Sequence, residues 1–202
     1  IENNKIEEVY SEDLVIGDEL VPFIKNKFES DILPYYEFIG VFIADGYIKR
    51  NIHGIYASNQ IDFHVKKIWK RNKIIELCKE LNLEYLIRDN HIIVKLDGEL
   101  KNDLLECYDG TDKIIPLKYF NNLSHINSIK RGLEFDSHKR KDGRSHFYTS
   151  SEKLANQFML ALDLLGITHS HHKTKRNNWN TEYNISYNFK KSPKNTISSI
   201  EL

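Results

Sequence analysis

The sequence predicts an α+β protein made of two similar units in tandem, and three observations predict it. The order helix, strand pair, helix, strand pair occurs twice along the chain. Each unit opens on a helix carrying a glycine, Gly40 and Gly132, 92 residues apart. Apolar residues make up 40% of the 202 residues, enough for a substantial core, and no apolar run is long enough to cross a membrane.

In the first unit the spacing predicts a helix over Tyr35–Gly46. A strand pair follows over Gly46–Lys67, with Tyr47 and Ile48 in one strand, a turn near Asn51–Gly54, and Tyr56, Ile61 and Phe63 in the other. Ile68, Ile74, Ile75, Cys78 and Leu81 have helical spacing, and Asn82 is the expected stop. Glu84–Lys95 reads as a hairpin turning at Asp89 and Asn90, and Leu100–Cys107 as a short helix. The second unit begins near Asn122 with a helix over Ile126–Phe135. A hairpin over Lys139–Thr149 turns at Asp142 and Gly143. Ser150 or Ser151 caps a helix carrying Leu154, Phe158, Leu160, Ala161, Leu164 and Leu165, which Gly166 ends. Ile167–Lys175 and Thr181–Phe189 form the last strand pair around Asn177 and Asn178.

The opening helix is the most informative stretch. Phe38, Val41, Phe42 and Ile43 leave it almost no polar face, so it is expected to be buried nearly all round. Gly40, Ala44 and Gly46 admit another backbone at close range, and Asp45 stands alone at the C-terminal end beside a glycine suited to stop the helix. A carboxylate there calls for a positive partner, and a divalent cation is a natural one. Gly40, Ala44, Asp45 and Gly46 match the third, seventh, eighth and ninth positions of the signature of the LAGLIDADG homing endonucleases, which this run resembles. The later segment Phe147, Ser150, Ser151, Glu152, Leu154 and Ala155, closed by Gly166, is also similar to that family, and the likeness spans roughly residues 35–190.

The resemblance implies a pseudo-twofold pair of αββαββα units, residues 35–118 and 119–190, with a curved antiparallel sheet on DNA. It implies a site-specific double-strand DNA endonuclease that uses Mg²⁺ or Mn²⁺, works as a monomer and recognises a long asymmetric duplex. The catalytic and metal-binding acids are then Asp45 and, in the second motif, Asp136. The second motif is irregular: five residues beyond Gly132 stands Ser137, followed by His138, and Asp136 lies one residue early. Either a one-residue adjustment at the helix end brings Asp136 into place, or the second site is degenerate. Two alternatives therefore stay open, a nicking or non-catalytic DNA-binding protein and an RNA-binding intron maturase of the same fold.

Net charge is zero, but unevenly spread. Residues 1–31 carry nine acids and three lysines, whereas residues 119–202 carry thirteen bases and seven acids, an asymmetry expected of a polyanion-binding face. Alternation on the strands selects Tyr56, Ser58, Gln60 and His64 in the first unit, and Asn184, Ser186 and Asn188 in the second, as residues facing base edges. Lys49, Arg50, Lys139, Arg140, Lys141, Arg144, Lys173, Lys175 and Arg176 are the expected phosphate contacts. The resemblance implies a basic residue near the cleavage site, for which Lys173 is the catalytic candidate, with Arg88 its counterpart. His169, His171 and His172 lack a further ligand at useful spacing and read as solvated histidines rather than a zinc site.

Glu12, Asp13, Leu14, Gly17 and Asp18 before Val21, and Ile197–Leu202, resemble pieces of intein splicing domains, so residues 1–34 and 191–202 are expected to be remnants of one. Residue 1 is Ile, and no His-Asn pair ends the chain, so self-splicing is not expected. Cys78 and Cys107 are isolated, and no signal-peptide pattern opens the sequence. A reducing cytoplasmic setting in a prokaryotic or phage-infected cell follows, with ordinary buried thiols and no membrane partner.

Overall fold

The computed structural model describes residues 31–50, 56–96, 98–141, 143–175 and 181–187, and of Arg50, 56–58 and Asp136 the backbone alone. The turns expected at 51–54 and 177–178, the side chains of Arg50, Tyr56 and Ser58, and the whole of Arg176, Asn188, residues 1–30 of the first intein-like flank and all of the second lie outside that description.

The first unit runs α1 (Pro34–Asp45), β1 (Gly46–Arg50), β2 (Tyr56–His64), α2 (Ile68–Glu80), β3 (Tyr85–Arg88), β4 (His91–Lys95) and α3 (Gly98–Glu106). A small hairpin, β5 (Tyr108–Asp109) and β6 (Asp112–Lys113), and a 3-10 turn (Leu117–Asn121) lead to the second. That unit runs α4 (Leu123–Leu133), a 3-10 turn (Glu134–Asp136), β7 (His138–Lys139), β8 (Ser145–Thr149), α5 (Glu152–Leu164), β9 (His169–Lys175) and β10 (Thr181–Tyr187). The two antiparallel sheets share one topology, β1-β2-β4-β3 and β7-β8-β10-β9. Neither β5–β6 nor the 3-10 turn was legible in the sequence, because two-residue strands carry no periodicity.

Local chemistry explains the element ends. Asn122 caps α4, its side-chain oxygen accepting from the Ser124 and His125 N–H groups at 2.8 and 3.4 Å. Ser151, not Ser150, caps α5 through the Leu154 N–H at 3.3 Å. Asn82 (φ 52°) ends α2 in the left-handed region and Asp89 (φ 49°) turns the β3–β4 hairpin, both conformations that Asn and Asp adopt more readily than most residues. Gly46 departs from expectation: at φ −81° and ψ 155° it is extended and simply begins β1. Glycine is needed there for space, since an added Cβ would strike the Phe42 ring.

The core is shared by both units. Phe38, Ile39, Val41 and Phe42 of α1 are fully buried, with Ile61 and Phe63 of β2, Ile126 and Ile129 of α4, and Phe158 of α5. Gln157, 8% exposed, ties the inter-unit segment to α5: its Oε1 accepts from the Ile115 N–H at 2.9 Å and its Nε2 donates to the Ile115 carbonyl at 2.8 Å. Gln157→Ala strands both backbone groups and is expected to cost about 1–3 kcal/mol, read by urea unfolding. Cys78 and Cys107 are buried, and burial pushes both thiols up to about 12. A disulfide-exchange reagent at neutral pH should therefore leave both unreacted until the protein unfolds.

Candidate functional site

α1 and α4 cross where each carries its glycine. A Cβ on Gly40 would run into the Ile129 carbonyl oxygen and stand 2.8 Å from the Gly132 Cα. A Cβ on Gly132 would run into the Glu37 carbonyl oxygen and stand 2.6 Å from the Val41 nitrogen. The two backbones are thus in direct contact, which residues of ordinary size would forbid. Polar groups lock the crossing. The Leu33 N–H donates to Ser128 Oγ at 2.9 Å, and the buried Glu37 carboxylate lies 3.2 Å from Arg131 Nε and 3.4 Å from Lys73 Nζ.

Asp45 is the last residue of α1 and is half-buried. Its Oδ2 accepts from Lys70 Nζ at 2.6 Å, a lysine of α2 that is itself 8% exposed. A second ammonium approaches the same helix end. Lys113 Nζ donates to the carbonyls of Phe42 and Gly46, each at 2.7 Å, and lies 3.9 Å from the Phe42 ring centre. Cations there complement the negative end of the helix dipole. A cleft of about 230 Å³ opens beside it, lined by Ile43, Ala44, Lys113, Phe147, Thr149 and Ser151.

The second motif reaches its sheet differently. α4 gives way after Leu133 to the 3-10 turn Glu134–Asp136, and Ser137 leaves it extended, its N–H and hydroxyl both bonded to the Glu134 carbonyl at 3.0 and 2.8 Å. Strand register compares the two ends. Phe63 lies opposite Gly46, whereas His146 lies opposite His138, so the next pair along sets Phe147 opposite Ser137. Phe63 and Phe147 are equivalent, each five residues ahead of its following helix. Ser137 therefore stands where Gly46 stands, and Asp136 where Asp45 stands. Five α-helical steps of about 1.5 Å carry Gly40 to Asp45, about 7.5 Å in all. One such step and three 3-10 steps of about 2.0 Å carry Gly132 to Asp136 over about the same 7.5 Å with one residue fewer.

The remaining expectations divide by sheet face. Ile61 and Phe63 are buried, so Gln60, Asp62 and His64 point to the open face of the first sheet, joined there by the exposed Tyr47 and Lys49 of β1. His91 of β4 stacks on His64 at 4.7 Å, and its Nδ1 lies 2.8 Å from Asp62 Oδ1. In the second sheet Tyr183, Ile185 and Tyr187 pack inward, leaving Asn184 and Ser186 half-buried on the opposite face beside the buried His146, whose Nδ1 is 3.1 and 3.0 Å from their side-chain oxygens. Arg140 and Lys141 are exposed in the loop after β7, while Lys139 and Arg144 flank it, and the Arg140 N–H donates to the Arg144 carbonyl at 2.8 Å.

Lys173 does not belong to this site. It pairs with Tyr183, so it projects on the helix-facing side, where its Nζ lies 3.3 Å from Glu152 Oε1. The Tyr183 hydroxyl, with that carboxylate, raises the lysine above its ordinary value. β9 is also the far strand of its sheet, three strand spacings or about 14 Å from β7. Lys175 shares that parity, and Arg88 lies on β3, the equivalent far strand of the first sheet. His169 and His171 point to the side opposite His172, and His169 Nε2 lies 2.9 Å from Asp163 Oδ1, so the three histidines do not converge.

Sequence reasoning missed Lys70 and Lys113. The buried stripe of α2 is Lys70, Ile74, Leu77 and Cys78, whereas Ile68 is 73% exposed. A lysine four residues ahead of Ile74 on an apolar stripe was the available signal, since a charge there requires a partner. For Lys113 the sequence holds no such signal.

Residues 135–200 match the family described as LAGLIDADG-like domain. Among solved structures the fold is similar to "The crystal structure of I-DmoI in complex with DNA and Mn", with TM-score 0.50, 14% identity, and coverage of 77% of this chain and 89% of that one. A structure of mesophilic variants of the homing endonuclease I-DmoI aligns at TM-score 0.48 and 13% identity over 77% of this chain and 88% of that one. The I-DmoI complex with DNA and Ca aligns at 0.47 and 14%, covering 77% and 82%. No curated protein matches the chain. The fold is that of the LAGLIDADG homing endonucleases.

Proposed function

We propose that this chain is a site-specific endonuclease that cuts both strands of a DNA duplex, with Asp45 serving one strand and Asp136 the other. The observation that carries the reading is the glycine-to-glycine crossing of α1 and α4, which brings two helix ends together, each running directly into a sheet with a polar open face. I-DmoI, whose fold this chain shares, is known in complex with DNA and Mn, which supports a divalent metal and a duplex partner here.

The residues present fit such a metal. Among the described residues no group of three His, Cys, Asp or Glu side chains converges. Mg²⁺ and Mn²⁺ at phosphoryl sites need only one or two carboxylates, the rest of the shell coming from water and substrate phosphate. Asp45 supplies a half-buried hard oxygen at the end of α1, and the strand register sets the Asp136 backbone at the matching position of the second unit. Bound there, the metal would activate the attacking water and neutralise charge on the phosphate and leaving oxygen. The chain's own task is to hold the two carboxylates at fixed separation, which the backbone contact of Gly40 and Gly132 accomplishes. Gln60, Asp62, His64, Asn184 and Ser186 are placed to read base edges in the major groove. Arg140 and Lys141, with Lys139 and Arg144 beside them, meet phosphates near the second helix end. Both units lie in one chain, so a monomer suffices and the two sheets read different half-sites of a long asymmetric target.

The test is cleavage of a supercoiled plasmid library carrying random inserts, with Mg²⁺ and with Mn²⁺. Linear product supports two working sites. Nicked circles alone support one, the reading that the Ser137-His138 departure favours, and gel-shifted but uncut DNA leaves a binding protein. Replacing Lys139, Arg140 and Lys141 by Ala should weaken duplex binding across all sequences and lower the slope of log K against log salt by about 3, read by fluorescence anisotropy between two salt concentrations.

A further inference from the structure

We propose that Ile68 and Trp69 form an apolar wedge that meets the minor groove of the bound duplex between the two helix ends, a contact that the first unit alone supplies. The inference rests on the nuclease reading and adds to it how the centre of the target is held.

The start of α2 is built unlike the start of α5. Phe63 and Phe147 are equivalent, so Lys66, Lys67, Ile68 and Trp69 answer to Ser150, Ser151, Glu152 and Lys153. In the second unit these polar residues serve the fold. Ser151 caps α5, Glu152 Oε1 lies 3.3 Å from Lys173 Nζ, and Lys153 Nζ lies 2.7 Å from Asp109 Oδ2. In the first unit Lys67 holds the capping position without a side-chain cap bond. The exposed Lys66 and Lys67 lead directly into Ile68, 73% exposed, and Trp69, 54% exposed. A single exposed apolar residue is ordinary. Two in succession, behind two lysines at an uncapped helix start, forgo both capping and burial. Ammonium groups beside exposed apolar side chains suit a polyanion built of stacked rings, which is nucleic acid.

Position selects the part of the duplex. The Trp69 ring lies tilted against Phe135, ring centres 5.5 Å apart, and Phe135 immediately precedes Asp136 in the chain. The residue after Trp69, Lys70, touches Asp45 at 2.6 Å. Trp69 therefore stands between the two helix ends. Its aromatic partner is not demanded by the fold, since the counterpart of Phe135 is Ala44, which lines the open cleft together with Ser151 and Leu154. With the two sheets in successive major grooves, the duplex turns its minor groove toward whatever lies between them. Apolar side chains entering a minor groove partly unstack a base step and kink the duplex by about 20–90°.

Tryptophan fluorescence tests this in the 202-residue chain carrying Trp179→Phe, which leaves Trp69 as the sole tryptophan. The probe is a duplex recovered from a random pool by the wild-type protein, with a dye at each end. Adding it should quench Trp69 and raise energy transfer between the dyes. Trp69→Ala should weaken binding about five- to a hundredfold and lower the energy transfer of the bound duplex. It should leave the slope of log K against log salt unchanged, because no charge is lost, whereas replacing Lys66 and Lys67 by Ala should lower that slope by about 2. A role confined to folding would lower the melting temperature and leave the energy transfer of the bound duplex as it was. The quench needs no substitution at Trp69, so it decides if Trp69→Ala fails to fold. Duplex bound without quenching, and bent as before by Trp69→Ala, overturns the wedge and keeps the nuclease reading. Failure to recover any duplex retires that reading and the wedge with it. Trp69 shielded from acrylamide in the free protein also overturns the wedge. Shielding independent of protein concentration assigns the patch to another part of the chain, and shielding that grows with concentration assigns it to a second copy.

Discussion

Gly132→Ala is expected to be the most damaging single substitution for stability. The new methyl would overlap the Glu37 carbonyl oxygen and crowd the Val41 nitrogen and Gly40 carbon of α1. These are backbone atoms of a helix whose own side chains are buried on nearly every side, so no flexible group can move aside. Overpacking typically costs about 1–3 kcal/mol and more where the surroundings are rigid, so about 3 kcal/mol is a lower bound here. For a chain of this length that lowers Tm by about 6–12 °C. Gly40→Ala should behave alike, because its methyl meets the Ile129 carbonyl on the other side of the same crossing. The exposed Asn156→Ala in α5 is the control and should stay within about 0.5 kcal/mol. Thermal melting by circular dichroism reads all three. A Gly132→Ala protein as stable as the control would mean that the helices do not meet at their backbones.

Asp45→Asn is expected to be the most damaging for activity. The substitution keeps the shape of the side chain and an oxygen for Lys70 but removes the negative charge. Loss of one positioned electrostatic partner typically costs about 10²–10³ in rate, and losing a metal-binding carboxylate costs at least that. Only the strand served by Asp45 is affected, so the variant should turn linear product into nicked circles. Asp136→Asn should nick the opposite strand, which end-labelling of each strand separately distinguishes. Nicking of the same strand by both variants would overturn the assignment of one acid to each strand. Melting must accompany the assay, since Lys70 loses a formal counter-charge in a half-buried place, at a cost of about 1–3 kcal/mol.

Much of this protein was legible in the order of its residues, because the relevant physics is local. Periodicities of two and 3.6 placed the strands and helices, and Asn82, Asp89, Ser151 and Gly166 marked ends where backbone chemistry is decided by one side chain. The unbroken apolar character of Phe38–Ile43 announced a helix buried on all sides, and the glycines at 40 and 132 announced a close crossing. Alternation likewise put Gln60 and His64, and Asn184 and Ser186, on the faces turned away from the core.

What only the tertiary structure decided depends on which elements meet. Lys173 looked suited to a cleavage site, yet register turns it toward α5, and sheet order places it on the far strand. Lys70 looked like an ordinary helix lysine until α2 packed against the end of α1. Lys113 sits on a hairpin without periodicity and reaches the carbonyls of Phe42 and Gly46 across 71 and 67 residues of chain. The one-residue shortfall between Gly132 and Asp136 could be counted in the sequence, but its absorption could not. A 3-10 turn rises farther per residue than an α-helix, and only pairing of β7 with β8 reveals that the turn is there and that the register after it is restored. Sequence dictated the parts because each is set by neighbours along the chain; contact between helix ends and distant lysines is set by packing, which no local pattern encodes.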